Sequence, residues 1–179
     1  SQQFFFISKE TSILINNWFM MYFLAVVLIG TVYPIFLEVI SNEKISVGPP
    51  FFNKLLIPFL IPFLIFMAVG PKLKWIKSDI KNKFQLILFF IVSFFLSFLI
   101  IKNFNLGFLM NTILLTAGFY LFLITIRDFF IERTKNFSQN IAHFGFSLFI
   151  LSILLNNLFS SEVITNLKIG ESFKSEKFQ

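Results

Sequence analysis

The chain has no cysteine, which excludes structural disulfides, thiolate metal sites and cysteine nucleophiles and removes any signal of redox compartment. It has one histidine, so His143 is the only imidazole available to bind, buffer or shuttle protons. Charge is scarce too, at 13% of residues, against roughly 25% in soluble domains. No glycine-rich phosphate loop occurs, no pair of carboxylates stands at catalytic spacing, no segment repeats, and no GxxxG falls inside an apolar stretch. These absences remove most enzyme classes that can be recognised from short motifs.

What is present is apolar bulk. Of 179 residues, 56% are hydrophobic and 30 are Phe, and the mean hydropathy is +0.82. A water-soluble fold of this length cannot hide that much apolar surface. Length suggests a single domain, but the apolar residues fall in five blocks, at about 18–40, 51–69, 84–101, 108–126 and 141–159. Each is as long as a bilayer core is thick at ~1.5 Å per helical residue. Only helices satisfy their own backbone groups in hydrocarbon, so the expected fold is an all-α integral membrane protein, a bundle of about five transmembrane helices over 1–160. In the fourth block, eleven Leu, Ile and Phe residues contribute roughly −3 to −7 kcal/mol to insertion. That is enough to carry Asn111, Thr112, Thr116 and Thr125. Pro58 and Pro62 lie four apart on one face of the second block and predict a kink or a late helix start.

The formal charge of +6 does not indicate nucleic acid, because the cations sit in short loops where they set topology. Lys72, Lys74, Lys77, Lys81 and Lys83 fill one loop, and Arg127, Arg133 and Lys135 another. These loops are expected inside, which places the N-terminus inside and the segment 41–52 and the tail after Ser160 outside. Trp18, Tyr22, Tyr33 and Trp75 read as interfacial anchors against membrane lipid. The tail Val163 to Phe178 alternates weakly and reads as the start of a small extracytoplasmic β-rich region over 161–179.

Three features rise above lipid-facing filler. His143, in Asn140-Ile-Ala-His-Phe-Gly145, is an ionisable group at the inner end of a span, where such groups are rare and often functional. Neutral imidazole is also a good axial ligand for haem iron. The alternative is an interfacial histidine bonded to a loop or headgroup. The outer segment Gly48-Pro49-Pro50-Phe51-Phe52-Asn53 is either a rigid turn presenting two aromatics to a planar ligand or a stiff connector. Gly30-Thr-Val-Tyr-Pro34 followed by Glu38 places a proline and a carboxylate near the outer end of the first span, where Glu38 has the simpler reading of reaching the interface.

Taken in order, Ser8-Lys-Glu10, Asn16-Asn17, Gly30-Thr-Val-Tyr-Pro34, Glu38, Ile45-Ser-Val-Gly-Pro-Pro-Phe-Phe-Asn53, Gly70-Pro71, Trp75 and Ala142-His143-Phe-Gly145 resemble the middle-to-late region of the CcmF family. CcmF is the large membrane subunit of the cytochrome c haem lyase. The resemblance implies a protein of the bacterial inner membrane, or the mitochondrial inner membrane, that receives haem from the haem chaperone CcmE. Such a protein works with other cytochrome c maturation membrane subunits and attaches haem to apocytochrome c outside the membrane. It further implies a haem b within the bundle with His143 as an axial ligand to its iron, and a surface near the incoming haem shaped by Gly48, Pro49, Pro50, Phe51 and Asn53. Catalytic residues are not identified. The family's tryptophan-rich haem-handling segment, its two external histidines and the second ligand of the haem b are not in this sequence, and both ends read as truncations. The competing expectations are a permease or channel subunit with a Pro-kinked span, and a non-catalytic membrane assembly scaffold.

Overall fold

The computed structural model describes residues 8–41, 45–73, 83–104, 108–131 and 137–160. The loop cations Lys44, Lys74, Lys77, Lys81, Arg133 and Lys135, the anchor Trp75 and the tail expected to start a β-rich region lie outside the described residues. Those described form five long helices and a single 3₁₀ turn, with no strand among them: α1 (Lys9–Ser41), α2 (Pro49–Val69) running into the turn Gly70–Lys72, α3 (Lys83–Asn103), α4 (Phe108–Ile131) and α5 (Phe137–Phe159). All five are long and apolar enough to cross a membrane.

The first helix starts well before its apolar block because it is capped. Ser8 Oγ accepts the Thr11 backbone N–H at 3.2 Å, which satisfies one otherwise orphaned donor, and its carbonyl accepts the Ser12 N–H at 3.1 Å as the first intrahelical bond. With 33 residues, α1 is about 50 Å long, well beyond the ~30 Å hydrocarbon core. Its first two turns therefore extend past the depth that its apolar block covers.

Neither proline of the second block delays or ends its helix. Gly48 is the N-cap, Pro49 and Pro50 occupy the first two helical positions, and the helix runs through Pro58 and Pro62 to Val69. Proline suits the first positions because its missing N–H would be unpaired there anyway. The expected outer turn is thus the start of a helix. Further along, Pro58 leaves the Lys54 carbonyl without its helical donor, and in the next position the Leu55 carbonyl accepts the Tyr22 hydroxyl of α1 at 3.0 Å. Tyr22 is accordingly a packing residue of the α1–α2 contact, not merely an interfacial anchor, with its ring centroid 4.2 Å from that of Phe59.

The helix α4 occupies the centre. Its backbone closely approaches α2, α3 and α5, whereas α3 and α5 each approach α4 alone, and α1 approaches only α2 and the 3₁₀ turn. Accordingly 56% of the apolar window of α4 is buried, against 11–17% for the other four. Small side chains make the close contacts. A Cβ on Gly118 would lie 2.8 Å from Leu154 Cδ1, so its absence lets α5 sit tight on α4. On α3, the buried residues Ser93, Ser97 and Ile101 follow four-residue spacing. Their hydroxyls bond back to the Phe89 and Ser93 carbonyls at 2.7 and 2.8 Å, which satisfies them without water. Between α4 and α5, Thr125 Oγ1 and Ser147 Oγ are 2.8 Å apart, an interhelical bond of the kind that helps hold membrane helices together.

Candidate functional site

His143 sits in the second turn of α5. One and more turns further, at spacings of four, four and three, come Ser147, Leu151 and Leu154, the buried residues of that helix. The imidazole therefore continues the inward-facing stripe to the helix's beginning and is half-buried. Its Nδ1 is the buried side-chain nitrogen or oxygen that lacks a hydrogen-bond partner among the described residues. Native folds rarely leave such an atom unpaired.

The imidazole borders a groove of about 400 Å³. Phe63, Phe66 and Met67 of α2 and Phe146 of α5 give it apolar walls, while Lys9, Ser12 and Asn16 of α1 and Gln139 of α5 add polar groups. Because α1 and α5 do not approach one another, the groove stays open between them. Its floor is the turn at Gly70, where a Cβ would collide with Ser12 Oγ. Glycine there is what allows the first turns of α1 to lie against the end of α2. The volume, and the mix of apolar walls with a few convergent polar groups, fall within the usual range for small-molecule and cofactor sites.

Adjoining the groove, and sharing Met67, Pro71, Gln139 and His143 with it, is a much smaller cavity of about 10 Å³ that is also bordered by Thr125, Asp128 and Asn140. Asp128 is held firmly. Lys72 Nζ donates to both carboxylate oxygens at 2.7 Å, Arg127 donates to Oδ1 at 3.0 Å, and Asn140 Nδ2 donates to the Asp128 carbonyl at 3.2 Å. The three charged side chains are only 13–17% exposed. This network joins the end of α2, the end of α4 and the start of α5 into one corner.

The outer residues expected from the sequence lie at the far end of α2, about 30 Å from the His143 corner at 1.5 Å per residue over 21 residues. Gly48 and Phe51 are half-buried, while Pro49, Pro50 and Asn53 are exposed. The neighbouring Phe52 explains a second motif, because a Cβ on Gly30 would fall 2.7 Å from its ring and 3.0 Å from that of Phe51. The Gly30 and Phe51-Phe52 segments are therefore partners in packing between α1 and α2. Glu38 lies in the last turns of α1 with an exposed side chain.

Sequence reasoning overlooked Asp128, Gln139 and Ser12, named Asn16 only within the resemblance, and took Lys72 only as a topology charge. One signal was available: Asp128 stands two residues past an apolar block, where a carboxylate needs a cation. Ser12, Asn16 and Gln139 carry no comparable signal, since only the three-dimensional meeting of α1, α2 and α5 brings them together. Among the described residues no group of three or more His, Cys, Asp or Glu side chains could hold a metal ion.

Five lipid-compatible helices, three of which line an imidazole-bearing groove, define a multi-pass helical membrane protein. The curated relatives make the class specific. The chain is 30% identical over 183 residues to a cytochrome c-type biogenesis protein CcmF of Pseudomonas fluorescens, covering 92% of this chain and 27% of the relative. The match to CcmF of Haemophilus influenzae is 28% over 181 residues, covering 92% and 28%, and that to CcmF of Escherichia coli is 26% over 182 residues, covering 96% and 28%. The chain is a relative of the CcmF-type cytochrome c-type biogenesis proteins along nearly all of its length, and it spans about a quarter of the length of the relatives it matches. No family model matches the chain, and no solved structure does.

Proposed function

We propose that this chain serves cytochrome c maturation as part of a CcmF-type haem lyase, and that His143 is an axial ligand of a haem b held in the membrane bundle. The carrying observation is the match to CcmF proteins over 92% of the chain, and the site geometry is compatible with it. A haem site in a helical bundle needs an imidazole beside an apolar space with polar groups at its edge. The groove at His143 has phenylalanine and methionine walls, and Lys9, Ser12, Asn16 and Gln139 at its border. The chain has one histidine, so a second axial imidazole would come from outside this sequence. A bound haem b supplies a one-electron redox centre inside the bundle. The whole assembly would then accept haem from CcmE, act with other maturation membrane subunits in a bacterial inner membrane or a mitochondrial inner membrane, and attach haem to apocytochrome c on the outer side.

The test is spectroscopic. In cells carrying the rest of the maturation system, protein purified with this chain should show a b-type signal in the reduced visible spectrum, and His143→Ala should abolish it. An undiminished signal in that variant removes His143 from the iron. At the opposite end, Pro49→Ala with Pro50→Ala should lower the yield of holocytochrome c while sparing the b-type signal, if that end faces the incoming haem. Normal cytochrome c output would leave the segment as a helix start and connector only.

A further inference from the structure

We propose that Asp128 is the positioning residue of His143: one ordered water in the small cavity between them accepts the Nδ1 proton and donates to the carboxylate, leaving Nε2 as the bare nitrogen presented to the groove. Its use to a metal rests on the haem reading above, but the geometry does not.

Three observations converge on it. First, Nδ1 is buried and has no partner among the described residues, although an imidazole nitrogen removed from water needs one. Second, the cavity that His143 shares with Asp128 measures about 10 Å³, close to the ~10–15 Å³ that one water requires, and its border supplies the two to four polar partners that a buried water makes. Third, Asp128 has acceptor capacity left and is pointed by its neighbours. An ionised carboxylate accepts at about four positions. Lys72 takes one on each oxygen and Arg127 a second on Oδ1, so one remains on Oδ2. The other acceptors at the border, the Thr125 hydroxyl and the Gln139 and Asn140 amide oxygens, are neutral, which leaves the carboxylate as the strongest acceptor.

The consequence is a fixed tautomer. An imidazole that donates from Nδ1 to a carboxylate, directly or through water, keeps its lone pair on Nε2 and is a more basic ligand; histidines that bind metals are commonly oriented this way. Lys72, Arg127 and Asn140 act one step further out, by holding Asp128.

Because the chain has one histidine, ¹⁵N-histidine labelling reports a single imidazole. In the full chain in lipid nanodiscs, purified on a histidine-free tag, the neutral ring should carry its proton on Nδ1 and show a cross-peak from that proton to water. A proton on Nε2, or an Nδ1 proton without the water cross-peak, overturns the proposal. In the isosteric Asp128→Asn, the proton population should shift toward Nε2, and an unchanged tautomer in a folded variant overturns the role of Asp128. If that variant does not fold, the wild-type spectrum decides alone. Added hemin separates the two readings. A wild-type chain with the expected tautomer that fails to ligate hemin when assembled with the rest of the maturation system counts against the haem reading only. Bound hemin should be reduced at a more positive potential in Asp128→Asn, because its ligand is less basic, and an identical potential in the two proteins counts against the positioning role only.

Discussion

The ion cluster at the His143 end of the bundle makes an asymmetric prediction. Lys72 Nζ lies 2.7 Å from Asp128, Arg127 lies 3.0 Å from it, and their side chains are 13–17% exposed. At an effective dielectric near 20, Coulomb attraction at 2.7 Å is roughly 6 kcal/mol. Desolvation of both ions offsets most of that. The remaining coupling should exceed the ~0.2–1 kcal/mol of an exposed pair and fall near the lower end of the ~1.5–7 kcal/mol measured for close, desolvated pairs. A coupling of about 1.5–3 kcal/mol is therefore expected between Lys72→Met and Asp128→Asn in a double-mutant cycle. The single variants should not be equal. Lys72→Met leaves Asp128 with Arg127 as counter-ion, whereas Asp128→Asn removes the carboxylate that Lys72 and Arg127 share. The aspartate variant should cost the more, toward the ~3–5 kcal/mol seen when a buried charge loses its partner. Equilibrium unfolding in bicelles, followed by steric trapping or mild denaturant, measures all four corners of the cycle. Additive effects, or a lysine variant as costly as the aspartate one, would refute the view that one carboxylate holds both cations in this corner.

Three further outcomes follow from the packing. Gly30→Ala places a methyl 2.7 Å from the Phe52 ring and should destabilise by about 1–3 kcal/mol through overpacking; Phe52→Leu should relieve much of that in the same unfolding assay, and no relief would mean that the ring is not what the methyl meets. Thr125→Val removes the 2.8 Å bond to Ser147 and should cost about 0.6 kcal/mol, at most ~1.7, with Ser147→Ala adding little on top. Tyr22→Phe removes the donor to the Leu55 carbonyl and should cost about 0.5–1.5 kcal/mol, while leaving the b-type spectrum of the assembled protein unchanged.

The all-helical membrane bundle was legible because hydrocarbon leaves few alternatives: five long apolar blocks become five helices. Helix ends were less legible, since they depend on local chemistry that hydropathy does not record. The cap at Ser8 starts α1 nine residues before the apolar block, and Pro49 and Pro50 belong to a helix start that reads, in sequence, as a turn. His143 could be singled out because it is alone, but its setting could not. Asp128 is fifteen residues away and Lys72 is separated from it by a whole helix, and only the α2–α4 contact places them together. The Gly30 motif looked like a candidate for chemistry beside Glu38, yet its glycine is accounted for by a phenylalanine twenty-two positions later.

The centrality of α4 also bears on how the chain is assembled. Helices leave the translocon in order, and α1 with α2 can pair at once through Tyr22, Phe59 and the ring stack around them. The next helix, α3, has no close approach to either, so it must wait in lipid until α4 arrives to join both groups. Only after α5 follows does the groove acquire its histidine wall. The site thus needs all five helices, and any cofactor that depends on His143 reports that they have been inserted and packed.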